Sequence, residues 1–178
     1  GDVDPTWIAK KIFDEAFWLC GQVCMTIKRV YAHESVYKLV VSELASLANR
    51  TKLGNGMNPE TDMGPLNNKP QFDRVIELVE DAKRSGAKIV TGGNPLSGRG
   101  YFFPPTIVTD ISGGVRLVDE EQFGPALPII PFRDVDQAIE MANATNYGLG
   151  GSVWTKDIEL GKQLAVRLDC GTGWVNQH

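Results

Sequence analysis

Cys24 is the residue of this chain whose neighbours best suit it to be a nucleophile. It follows Gly21-Gln22-Val23, just after a helix stop and ahead of a strand. A glycine so close upstream lets the backbone turn sharply, which can present a thiol and its own N–H at the mouth of a cleft. The thiolate is the reactive form, and nearby backbone N–H groups both favour it and stabilise a tetrahedral oxyanion. The same spacing also fits a buried cysteine used as a small apolar residue. His33 reads as a surface or strand-end histidine, not as a base for Cys24. The three cysteines, Cys20, Cys24 and Cys170, lack the paired spacing of a zinc site, so reduced thiols and no metal are expected. Gly92, Gly93, Gly98 and Gly100 have neither the following helix nor the spacing of a dinucleotide fingerprint, and read as a connecting loop. Glu120-Glu121, ahead of Gln-Phe-Gly-Pro, would by itself be a solvated turn.

The elements that must position these residues are readable from periodicity. Asp4-Pro5 followed by Trp7, Ile8, Ile12, Ala16 and Leu19 predicts a capped helix whose apolar stripe runs to a stop at Gly21. A short strand is expected over 27–32, and Ser35 then opens a second helix carrying Val36, Leu39, Val40, Leu44 and Leu47. The Gly-, Pro- and Asn-rich loop LGNGMNPETDMGPLNNKP precedes a third helix over 70–85, closed by Gly86, and a strand at 88–90. Strand-like runs follow at 106–109 and 127–132. Asp134, with Gln137 in capping-box position, opens a helix, and strand 152–154, helix 158–168 and strand 173–175 complete the chain. Strands alternating with helices predict an α/β layer structure with a largely parallel sheet.

With 178 residues, 42% of them hydrophobic, the chain has the composition of a globular domain. A domain of this size hides roughly 70% of the surface its unfolded chain exposes, enough for one core. No run approaches the ~20 apolar residues of a membrane span, and the start has no secretory pattern. The chain reads as soluble and cytoplasmic, with no membrane contact. Its 18 Lys+Arg against 22 Asp+Glu form no long basic run, which argues against nucleic acid as a partner.

Taken in order, several segments resemble the aldehyde dehydrogenase superfamily. Residues 17–29, FWLCGQVCMTIKR, resemble its nucleophile segment: an aromatic residue, then Gly-Gln-x-Cys, then an arginine, here Phe17, Gly21, Gln22, Cys24 and Arg29. Gly64-Pro65-Leu66, GYFFPPT from Gly100, EEQFGP from Glu120, NYGLG from Asn146 and GTGWVN from Gly171 follow at compatible spacing. Leu19 and Thr26 depart from the pattern, which commonly has Asn and a small residue there.

The resemblance implies a three-layer αβα catalytic domain with a mostly parallel sheet. It implies that Cys24 attacks an aldehyde to form a hemithioacetal and then a thioester, with NAD or NADP as acceptor. Glu121 would hold hydroxyls of the nicotinamide-side ribose and Phe123 would pack near the nicotinamide, while Gln71 and Arg74 match positions near the same cofactor half. For the last two, a solvated helix face is the competing reading. The resemblance also implies a single catalytic domain over 1–178 of a longer homodimer or homotetramer. The Rossmann domain, the deacylating base and the oligomerisation segment would then lie outside these residues, leaving the isolated piece inactive. A non-catalytic folding or assembly domain, or a CoA-acylating member of the family, is the alternative.

Overall fold

Asp4 starts helix α1 (Pro5–Phe17) by accepting the N–H groups of Thr6 and Trp7 at 2.9 and 3.0 Å, with Pro5 in the first turn where its missing N–H costs nothing. The computed structural model describes all 178 residues. Ile8, Ala9, Ile12, Ala16 and Phe17 form the buried face of α1. The expected stripe does not reach Leu19, which is 62% exposed. Leu19, Cys20 and Gly21 take left-handed φ values of 47°, 61° and 69°, which ends the helical hydrogen bonding and turns the chain away.

Strand β1 (Val30–His33) leads directly into α2 (Glu34–Arg50). Its cap is His33, not Ser35: the His33 Nδ1 accepts the Ser35 N–H at 3.2 Å and bonds the Ser35 hydroxyl at 2.8 Å, so Ser35 already lies in the first turn. That places His33 at a strand end, as its sequence context suggests. Asn68 caps α3 (Lys69–Arg84), whose Val75, Leu78, Val79 and Ala82 are buried. Strands β2 (Lys88–Thr91) and β3 (Thr106–Thr109), the short helix α4 (Arg116–Asp119) and strand β4 (Ala126–Phe132) follow.

The main sheet has the order β1-β4-β3-β2. Its β1–β4 and β3–β4 pairs are parallel, and β2–β3 is antiparallel. No helix lies between β2 and β3, and a parallel pair needs a crossover that their connection does not provide. The pleat sorts the side chains into two cores. Val30, Ala32, Ile107, Leu127 and Ile129 face α1 and α2, while Val108, Ala126 and Ile130 face α3 and α4. The register agrees, pairing Val30 with Ile129 and Ile107 with Leu127 on one face. The result is the expected αβα layering.

After α5 (Val135–Asn143), strands β5 (Gly150–Val153) and β6 (Thr172–Val175) pair in parallel around α6 (Ile158–Ala165) as a separate two-stranded sheet. No helix is long and apolar enough to cross a membrane.

Candidate active site

The left-handed run after α1 separates two cysteines only four residues apart. Cys20 points inward, its Sγ 3.4 Å from the Gly64 carbonyl, and burial pushes its thiol up. Cys24 lies in the turn that follows and its thiol is exposed. The Cys24 N–H donates to no group of the chain. Gln22 fixes one side of this turn by accepting the Asn67 N–H at 3.0 Å, which joins it to the Gly-Pro-Leu segment.

The glycines explain why these motifs belong together. A Cβ on Gly21 would lie 2.6 Å from the Gly124 carbonyl oxygen, and one on Gly124 would lie 2.3 Å from Val75 of α3. The turn bearing Cys24 therefore sits backbone-to-backbone on the Glu-Gln-Phe-Gly-Pro loop, which sits directly on α3. Gln122 is the buried rivet between them, its amide donating to the Lys28 carbonyl at 2.9 Å and the Ala126 carbonyl at 2.6 Å.

Gln71 and Arg74 both reach this loop from α3. Gln71 donates to the carbonyls of Gln122 and Phe123 at 2.6 and 2.9 Å. Arg74 binds Glu120 at 2.6 Å, and Arg116 bridges Glu120 and Glu77. Hydrogen bonds from Arg116, then from Arg74, hold the Glu120 carboxyl down at about 2. Gln71 and Arg74 thus have defined partners, which a purely solvated face would not give them. Phe123 is held at a left-handed φ of 45°.

Glu121 differs from its neighbour Glu120. Its backbone N–H donates to the Tyr147 hydroxyl at 3.1 Å, and its carboxylate makes no hydrogen bond within the chain. Tyr147 in turn lies under Arg29, with the guanidinium 5.9 Å from the ring centre. Cys24, Glu121, Tyr147 and His178 line one cavity of about 660 Å³ between the main sheet and β5. A carboxylate without internal partners at such a wall has the acceptor capacity for two vicinal hydroxyls, which is what the ribose of a nicotinamide dinucleotide offers.

Two residues here escaped the sequence reading. Lys28 donates to the carbonyls of Gly21 and Val23 at 3.1 and 2.6 Å and to the Thr26 hydroxyl, and sits 5.1 Å from the centre of the Phe123 ring. Burial lowers it to about 8, against the opposing pull of Glu121 and Cys24. His178 donates from Nε2 to the Met25 carbonyl at 2.5 Å, while its Nδ1 meets the Ser152 hydroxyl at 3.1 Å. Burial lowers its pKa, which favours the neutral ring. The Lys-Arg dipeptide was a usable signal for Lys28, because its four-residue spacing from Cys24 allows the side chain to fold back over the turn. His178 carried none, since its partners are more than twenty residues away in the sequence.

The model of the family described as "Aldehyde dehydrogenase family" matches residues 1–178. The chain is 39% identical over 158 residues to an aldehyde dehydrogenase of Enchytraeus buchholzi, covering 89% of this chain and 32% of that protein. It is 41% identical over 156 residues to the putative aldehyde dehydrogenase DhaS of Bacillus subtilis (strain 168), covering 88% of this chain and 32% of that one. Among solved structures, the NAD+ complex of an aldehyde dehydrogenase from Bacillus cereus superposes with a TM-score of 0.96 at 40% identity, covering 99% of this chain and 36% of that one. The chain spans about a third of the length of these curated relatives.

Proposed function

The chain belongs to the aldehyde dehydrogenase family, and from that premise we propose that it is the nucleophile-bearing part of an NAD(P)-dependent enzyme oxidising an aldehyde to a carboxylic acid. Cys24 Sγ attacks the aldehyde carbon, forming a C–S bond and moving a pair of electrons onto oxygen. The unengaged Cys24 N–H is the group of this chain that can meet that oxygen. A nicotinamide dinucleotide, when bound, supplies the acceptor for the two electrons that leave the substrate carbon. The thioester then remaining on Cys24 is released by water, with the thiolate as leaving group and a carboxylic acid as product.

Glu121 holds the dinucleotide through its ribose hydroxyls, and Phe123 provides an apolar ring beside it. Gln71 and Arg74 act one step back, keeping the loop that carries both in place. The observation that carries this reading is the backbone seat of Gly21 on Gly124, which brings the turn bearing an exposed thiol and the loop bearing an unpartnered carboxylate to one cavity. NAD(P)H formation by the full-length protein, measured over an aldehyde panel, tests it. Cys24→Ala should abolish turnover, and Glu121→Gln should lower kcat by about a hundredfold, the penalty of a misplaced reacting group. Turnover unchanged in Cys24→Ala would refute the proposal.

A further inference from the structure

We infer that Lys28 is a positioning residue for Cys24, its ammonium group clasping the turn that carries the thiol and seating that turn against Phe123. This rests on the reading of Cys24 as the nucleophile. An ammonium group has three donors and no acceptor. Here the three acceptors it meets, the carbonyls of Gly21 and Val23 and the hydroxyl of Thr26, all belong to the turn flanking Cys24. No donor is left over for a substrate, so Lys28 acts through the turn.

The main chain of Lys28 is tied in as well. Its carbonyl accepts from the buried Gln122 amide, one residue from Phe123, whose ring faces the ammonium. Side chain and backbone of a single residue thus join the nucleophile turn to the loop that carries Glu121. A charge-assisted clasp of this kind is stronger than one between neutral groups, and it needs the proton. A neutral amine has one donor fewer and turns a lone pair toward carbonyl oxygens.

The ionisable groups around Lys28 are Cys24 in its own turn, Glu121 from the facing loop and His178 beyond β6; His178 in turn feels Glu15 of α1. Burial places the loss of the Lys28 proton at about 8. The clasp therefore loosens as pH rises through that value.

Limiting iodoacetamide on the full-length protein, read by peptide mass spectrometry, tests this through the labelling ratio of Cys24 to Cys170. Lys28→Met should lower the ratio at neutral pH by about tenfold, the worth of one charge-assisted hydrogen bond. Divided by the Lys28→Arg ratio at the same pH, which removes the ordinary ionisation of the two thiols, the wild-type ratio should step down across pH 8. Lys28→Arg, charged throughout, should keep the neutral-pH ratio and show that ordinary ionisation alone, a signature that a merely structural role would not produce. A Lys28→Met ratio equal to wild type, or a divided wild-type ratio without the step, overturns the inference. The wild-type and Lys28→Arg profiles still decide if Lys28→Met does not fold. Turnover separates the two ideas: activity surviving in Cys24→Ala refutes the nucleophile, whereas labelling of Cys24 indifferent to Lys28 refutes the clasp alone.

Discussion

Every residue of β3 is buried, whereas every residue of β5 is only half-buried. The main sheet is sandwiched between α1 and α2 on one face and α3 and α4 on the other, and apolar burial holds it. The small sheet docks through one aromatic contact, Trp154 next to β5 meeting Trp7 of α1 edge-on at 5.8 Å, and through a few polar groups. Asp2 accepts from the Thr155 hydroxyl and the Lys156 N–H at 2.8 and 2.7 Å, Arg167 pairs with Asp136, and His178 reaches the Met25 carbonyl. Cys24, Lys28 and Glu121 belong to the first region and Ser152 and His178 to the second, and all five line the one cavity. The turn bearing Cys24 and the loop bearing Glu121 are thus set against a packed core, while another wall of their cavity belongs to a more exposed region docked by one aromatic contact and a few hydrogen bonds.

The largest expected effect separates the two regions by stability. Leu78→Ala, in a fully buried site of α3, should cost about 3 kcal/mol in urea unfolding. Leu160→Ala in α6, where the side chain is 41% exposed, should cost less than about 1 kcal/mol. Equal losses would contradict the contrast.

Gly21→Ala comes next. The substitution adds a Cβ 2.6 Å from the Gly124 carbonyl at a φ of +69°. Left-handed strain and overpacking together should cost about 2–3 kcal/mol. Cys24 alkylation should slow in the same variant, because the turn can no longer seat on the loop. A variant as stable as wild type would show that the glycine contact is not needed.

A smaller change is expected for Gln71→Leu, which leaves the Gln122 and Phe123 carbonyls without that donor. Unfolding free energy should fall by about 1–2 kcal/mol, and affinity for the dinucleotide, read by titration of the full-length protein, should weaken although Glu121 is intact. Unchanged affinity would remove Gln71 from the support of the loop.

The smallest effects are in pH, and they should arrive in order. Below the ordinary histidine value of 6.5, an exposed His178 takes up a proton before the docked one does, so stability contributed by its docking is lost as pH falls through that range. Glu120 is different: its carboxyl is held at about 2 against an ordinary 4.5, so its contribution is present above 4.5 and lost only on the way down to 2. Hydrogen exchange during acid titration should therefore show β5 and β6 loosening before α3 and α4. Simultaneous loosening would break the comparison.

How much of this was legible in the sequence depends on the range of the interactions. The helices of the main sheet show themselves through local caps and apolar spacing, as Asp4 and Asn68 illustrate. The motif segments were readable because each is a short string in a fixed order. Leu19 misled because its spacing continues the α1 stripe, and only the left-handed backbone at Leu19 and Cys20 takes it out of the helix. The antiparallel β2 was hidden because its edge position depends on a missing crossover, not on its own residues. His178 was illegible, since its partners Met25 and Ser152 are brought to it by the docking of the small sheet.

The central claim is that Cys24, and not its buried neighbour Cys20 or the half-exposed Cys170, takes the substrate carbon. Acid-quenching the full-length protein during turnover of an aldehyde with NAD(P), followed by peptide mass mapping, measures this directly. An acyl adduct is expected on the peptide containing Cys24, localised to that residue by fragmentation and missing in Cys24→Ala. An adduct on Cys20 or Cys170, or turnover that continues in Cys24→Ala, would contradict it.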